Sequence, residues 1–86
     1  MERFIDNRMI ARMHGISWEV NVELSVMDDG MYRAIAQPPY MAIYSEKPMY
    51  AYEKIQMNLD RIGVGHTRES LIQWLNGMHI AYQEGG

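Results

Sequence analysis

Residues Ile16–Ala36 read ISWEVNVELSVMDDGMYRAIA, and their alternation sets the frame for the rest of the chain. Ile16, Trp18, Val20, Val22, Leu24 and Val26 fall on one side of an extended strand, and Ser17, Glu19, Asn21, Glu23 and Ser25 on the other. That is the period of a strand with one face buried and one in water. Asp28-Asp29-Gly30 marks a reversal into a second strand, so the segment predicts a β-hairpin. Two registers compete. A two-residue loop at Asp29-Gly30 sets Val26 opposite Arg33 and Leu24 opposite Ile35, which leaves Arg33 on the apolar face. A three-residue loop, Asp28-Asp29-Gly30, sets Val26 opposite Tyr32, Leu24 opposite Ala34 and Val22 opposite Ala36, and keeps the faces pure. It needs a left-handed residue at its third place, where glycine carries no Cβ penalty. The second register is therefore predicted, with Gly30 at positive φ.

Downstream, Gln37-Pro38-Pro39 breaks the pattern, because proline offers no ladder donor and pushes its predecessor to extended geometry. Tyr40-Met41-Ala42-Ile43-Tyr44 predicts a short third strand, covered on both faces since it alternates without polar relief. Ser45 as N-cap and Pro48 in the first turn predict a helix from about Glu46 to Ile62, stopped by Gly63. Its buried stripe is Tyr52, Ile55, Leu59 and Ile62, with Met49 or Ala51 at the upper end, while Glu53, Lys54, Asn58 and Arg61 face water. This helix is the natural cover for the hairpin. After a Gly63-Val64-Gly65 hinge, Thr67 caps a second helix through Leu71, Ile72 and Leu75. Beyond it two readings stay open. Asn76-Gly77 can stop the helix before a strand over Met78–Tyr82, or Leu71, Leu75, Met78 and Tyr82 can continue one face, with a weak point at Gly77. The continuous helix, residues 66–84, is the preferred expectation.

At the other end, Phe4, Ile5, Met9, Ile10 and Met13 predict a short helix ending at Gly15, with an added strand as the alternative. The predicted fold class is α+β: a three-stranded antiparallel meander, one main helix across its apolar face and a smaller C-terminal helix. Its parts are an N-terminal segment 1–15, a βββα core 16–62 and a helix 66–84, in a single domain 1–86.

The 86 residues suit one modest core, and 48% hydrophobic content supplies it. No cysteine is present, so neither a disulfide framework nor a thiolate metal site is expected, and no run approaches the length of a spanning helix. A soluble, cytoplasmic protein is expected, with no membrane association. The net charge of −3 argues against general nucleic-acid affinity, which rests on clustered Lys and Arg, and favours a basic partner. Arg3, Arg8 and Arg12 make the N-terminal stretch locally basic, which predicts a solvated face in preference to a phosphate-contact arm. Of nine methionines, Met27, Met31 and Met41 in strands and Met49 and Met57 in the helix are assigned to the core in preference to an adaptable binding patch.

No catalytic, metal or cofactor site is predicted. His14, His66 and His79 lack the i, i+4 spacing of paired ligands on one helix face. His66 and Ser70 do lie four apart, but capping explains them without a nucleophile. Asp28-Asp29-Gly30 lacks the spaced oxygens and closing Glu of a calcium loop, and Gly63-Val64-Gly65 lacks the sequel of a phosphate loop. The candidate partner-binding residues are Glu19, Asn21, Glu23 and Arg33 on the hairpin's polar face, with Trp74 and Met78 on the C-terminal helix. A sheet edge offers a further route, to a homo-oligomer.

The order of these elements resembles the HicB-like antitoxin family over residues 17 to 62. Asp28-Asp29-Gly30-Met31-Tyr32 is similar to its acidic-glycine-aromatic hairpin, Pro38-Pro39 to its proline-containing bend, and Ser45 through Leu59 to its capped amphipathic helix. The bend here is Gln-Pro-Pro-Tyr where the family usually has a proline-leucine-proline-glycine type of run. Thr67–Gln83 is short and weakly basic for the family's appended DNA-binding segment, so DNA regulation does not carry over. The resemblance implies a non-enzymatic module that binds another protein, such as a small basic ribonuclease toxin. Two other expectations stand beside it. One is a mobile-element inhibitor of a host protein. The other is a β-grasp carrier using Gly85-Gly86, which needs Met78–Tyr82 to be a strand.

Overall fold

The computed structural model describes residues 4–85, with side-chain surroundings from residue 5 onward. In chain order the elements are β1 (Phe4–Met13), β2 (Ile16–Val26), β3 (Tyr32–Gln37), β4 (Met41–Ser45), α1 (Pro48–Val64), α2 (Arg68–Gly77) and β5 (Gln83–Glu84). The fold is α+β. An antiparallel meander β1-β2-β3-β4 carries both helices, and β5 pairs with the start of β2, beyond the end of β3.

The hairpin forms in the three-residue register: Val26 pairs with Tyr32, Leu24 with Ala34 and Val22 with Ala36. Met27 donates its N–H to the Met31 carbonyl at 2.8 Å, Gly30 donates to Met27 at 2.9 Å, and Gly30 takes φ +84. These bonds describe a type I turn closed by a left-handed residue.

The N-terminal segment corrects the first expectation, because it is a strand and not a helix. β1 pairs with β2 without a break, from Phe4 opposite Ser25 to Met13 opposite Ile16. Its turn is His14-Gly15, at φ 52 and φ 74, as a two-residue type I′ connection requires. Histidine is among the side chains that tolerate this region better than most. The physical reason for the strand is β2 itself. An 11-residue half-apolar strand has two edges to satisfy, and β3 covers only Asn21–Val26 of one of them. Pairing places Met9, Ala11 and Met13 beside Val20, Trp18 and Ile16 on the covered face, and Asp6, Arg8, Ile10 and Arg12 on the other.

β4 is covered on one face only. Met41, Ile43 and Ser45 turn toward the core, while Ala42 is exposed and Tyr44 is 52% exposed. The expectation of cover on both faces is corrected, because the second helix that it would need lies on the same side of the sheet as the first.

α1 starts two residues later and ends two later than expected. Lys47 is the N-cap residue and makes no side-chain cap bond; Ser45 sits buried at the end of β4, where its Oγ accepts the Lys47 N–H at 3.3 Å. Proline opens the helix at Pro48, where its missing N–H costs nothing. Gly63 lies inside the helix and does not stop it, and its missing side chain makes room for Met13: a Cβ there would meet the Met13 Sδ at 3.0 Å and Cβ at 3.1 Å. His14 Nε2 lies 2.7 Å from the Gly63 carbonyl, which can only accept, so that nitrogen donates and ties the β1–β2 turn to α1. The stripe is otherwise as read, with Ile55 and Leu59 fully buried, Tyr52 and Ile62 half-buried, and Ala51 at the upper end. Met49 and Met57 are exposed at 65% and 53%, which corrects their assignment to the core; Met27, Met31 and Met41 are half-buried.

α2 opens on a capping box, in which the Ser70 N–H reaches Thr67 Oγ1 and the Thr67 N–H reaches Ser70 Oγ. It ends at Gly77, so the continuous helix 66–84 is corrected. His79, at φ 57, is the left-handed residue, with His79 N–H bonded to Asn76 and Ile80 N–H to Leu75. This is the Schellman closure, and its accompanying apolar contact is present: Ile80 and Leu75 are both buried. Met78–Tyr82 is not a strand either; pairing resumes only at Gln83–Glu84, where Arg68 Nη2 holds Glu84 Oε1 at 2.8 Å.

The core lies between the sheet and the helices, around Ile16, Trp18, Val20, Val22, Leu24, Ile55, Leu59, Leu71 and Leu75. α1 crosses β1, β3 and β4. Trp18 donates its indole N–H to the Pro38 carbonyl at 2.9 Å and meets Trp74 edge-on at 6.3 Å.

Candidate functional site: the open face of the sheet

With both helices on one side, the other side of the sheet is open. The strand register assembles it row by row. Asp6 lies opposite Glu23, which lies opposite Ile35 and then Ala42; Arg8 lies opposite Asn21 and then Gln37; Ile10 lies opposite Glu19; and Ser25 lies opposite Arg33 and then Tyr44. Glu19, Asn21, Glu23 and Arg33 thus share one face, as the alternation predicts. Trp74 and Met78 do not join them. They belong to the helical layer, where Trp74 is half-buried against Trp18 and His66, and Met78 stands 44% exposed at the helix end.

The face is charged unevenly. Asp6 and Glu23 sit directly opposite each other, a like-charge pair that disfavours the ladder. Arg8 is the nearest remedy, yet its Nη1 contacts Glu19 Oε1 at 3.8 Å, with both side chains well over half exposed. Such a pair is worth little in water. Asp6, Arg8, Asn21, Glu23, Ile35 and Gln37 line a shallow depression of about 370 Å³. Arg33 is half-buried, and its Nε has no hydrogen-bond partner among the described residues. A buried guanidinium donor without a partner is costly.

A second groove, of about 590 Å³, opens where β3 has ended and β5 has not begun; Ile10, Arg12, Glu19, Pro38 and Tyr82 are among its walls. Reading the sequence alone misses the β1 contribution to both depressions. The signal that could find it is His14-Gly15, two residues able to take positive φ directly before the alternating run.

The remaining candidates stay apart from this face. His66 Nδ1 lies 3.1 Å from Ser70 Oγ, so the i, i+4 spacing does bring them together. The same oxygen accepts the Thr67 N–H at 2.8 Å and stands 3.2 Å from the Thr67 carbonyl, so it serves the helix opening. Among the described residues no group of three His, Cys, Asp or Glu is placed to hold a metal. No described helix is long and apolar enough to cross a membrane. Gly85 donates its N–H to the Gly15 carbonyl at 2.7 Å; Gly86 and Arg3, named above for the carrier tail and the basic arm, lie outside the described residues.

The fold and face describe an antiparallel sheet open on one side, with polar side chains and charges of both signs in register across it. Neither a family model, nor a curated protein, nor a solved structure matches the chain.

Proposed function

We propose that this chain is a non-enzymatic protein-binding module that presents its open sheet face to a basic partner, in the manner of an antitoxin that covers a small basic ribonuclease. The observation that carries the reading is the Asp6–Glu23 pair, two carboxylates that strand register holds opposite each other on the uncovered face, an acidic spot that a Lys or Arg of the partner would complement. The order of hairpin, proline bend, strand and helix over residues 17 to 62 supports the HicB-like form of the reading, with this chain's own bend and without DNA regulation.

Electrostatic complementarity acts chiefly on the rate of association, and rim charges lose their effect as salt rises. The test is affinity capture from the native host with identification of the partner, followed by association kinetics over a salt series. Replacing Glu19 and Glu23 together with Gln should slow association severalfold at low salt, leave the thermal melt unchanged, and matter less at high salt. An unchanged association rate in a folded variant would contradict the open-face assignment. Capture of an adenylating enzyme would replace the reading with a carrier, and capture of a host factor with a host-directed inhibitor.

A further inference from the structure

We propose that two copies of this chain join edge to edge through β1, antiparallel about a two-fold axis at Asn7, so that their sheets become one. β1 is the outer strand of the meander, and among the described residues its far edge pairs with nothing. Its 10 residues contain no proline and its pairing with β2 has no bulge, so two of the usual protections of an edge are missing.

The backbone polarity of that edge follows from the hydrogen bonds on β2. Met27 N–H bonds across to Met31 and Gly85 N–H to Gly15, so the odd residues of β2 face β3 and β5, and its even residues face β1. Their partners on β1 are Ile5, Asn7, Met9, Ala11 and Met13. The intervening residues, Asp6, Arg8, Ile10 and Arg12 among them, therefore turn their N–H and C=O groups outward; the Arg8 N–H donates to the Oδ1 of its neighbour Asn7 at 2.8 Å, an exposed bond that a pairing strand would displace.

The side chains choose the register. With Asn7 opposite its own copy, Asp6 stands opposite the second copy's Arg8, and Arg8 opposite its Asp6. Both ion pairs lie on the open face, since a two-fold axis normal to the sheet preserves faces. The row then runs Glu23, Asp6, Arg8 of the second copy, so the like-charge pair left unresolved within one chain gains a guanidinium. On the covered side Ile5, 55% exposed where the helices do not reach, comes opposite Met9, which already packs on the core. Neighbouring registers fare worse. A shift that centres on Arg8 sets two guanidinium groups against each other. A shift that centres on Met9 sets Arg8 against Ile10 and Ile5 against Met13, whose thioether is already lodged at Gly63.

Glu19 and Glu23 remain on the open face of the joined sheet, so this dimer and the proposed partner face can fail separately. The test is sedimentation equilibrium of the purified chain over a wide concentration range, with thermal melts to check folding. The wild-type chain should dimerise. Asp6→Arg and Arg8→Asp should each weaken the dimer by about tenfold, since each turns two facing pairs from attraction to repulsion, and the double variant should recover it. Because the chain has no cysteine, Asn7→Cys should form a disulfide dimer under mild oxidation, the facing Cα atoms of a non-hydrogen-bonded pair lying about 4.5 Å apart. Met9→Cys should not. A wild-type chain that stays monomeric at every concentration overturns the proposal. So does a dimer indifferent to both single charge reversals, or one that cross-links through Met9→Cys in place of Asn7→Cys.

Discussion

The two faces of the β1–β2 hairpin carry residues of similar kind to different ends. On the covered side Ile16 and Val20 are sealed at 1% and 0% exposure beneath the helices; on the open side Ile10, one residue from Met9 in the same ladder, remains 44% exposed. The difference lies in the parity of the strand, and a slip of one residue would exchange the two sets. Stability is thereby concentrated on one face and chemistry left to the other. The acidic pair Asp6–Glu23 persists because it costs little in water, whereas the same pair on the covered side would be prohibitive.

The largest effect should come from emptying the covered side. Leu59→Ala removes a fully buried side chain from the α1–sheet contact and should destabilise by roughly 2–5 kcal/mol, while Asn58→Ala, one position round the helix, should cost well under about 1 kcal/mol. Equal shifts in chemical denaturation would mean that the buried stripe is misplaced.

Next comes the turn that keeps the faces apart. Gly30 sits at φ +84, and a Cβ added there would meet nothing within 4 Å, so Gly30→Val is penalised by backbone strain alone, about 1–3 kcal/mol. Asp29→Ala loses only the exposed bond that its Oδ1 accepts from the Met31 N–H and should cost less. A melt in which the two variants shift equally would argue against the left-handed loop.

Smaller, and opposite in sign, are two changes at the end of the covering layer. Gly77 is helical with open space around its Cβ direction, so Gly77→Ala should stabilise by about 0.5–1 kcal/mol. His79→Gly should also stabilise, because the left-handed position at φ 57 falls on a histidine. If Gly77→Ala destabilised instead, Gly77 itself would be the left-handed closing residue. Least of all, removing the exposed Arg8–Glu19 pair by Glu19→Gln should leave the melt within a few tenths of a kcal/mol of wild type.

How much of this is legible in the sequence depends on how local the deciding interaction is. The β2–β3 register follows from Arg33 and Gly30, neighbours in sequence whose placement is decided within the hairpin. So do the α1 stripe and the Thr67 cap follow from nearby residues. The N-terminal strand is not legible in the same way, because Ile5, Met9 and Met13 fit either period and only the unsatisfied edge of β2 selects one. The end of α2 misleads for a related reason. Gly77 carries the local signal for a stop, but Ile80 must reach Leu75, and that contact moves the left-handed residue to His79. Met49 and Met57 read as core on hydrophobicity, although the stripe through Ile55 and Leu59 already fills the angle that the sheet covers. In the candidate site, Glu19, Asn21, Glu23 and Arg33 are recoverable from alternation, whereas Asp6 and Arg8 enter only through the β1 pairing.

The most direct test of the two-faced sheet compares one residue type on either side of the first hairpin: Ile16→Ala on the covered face and Ile10→Ala on the open face, each followed by urea unfolding at low protein concentration. Ile16→Ala should lose roughly 2–5 kcal/mol, and Ile10→Ala less than about 1 kcal/mol. Comparable losses from the two substitutions would contradict the account, since they would mean that the face assigned to binding is part of the core.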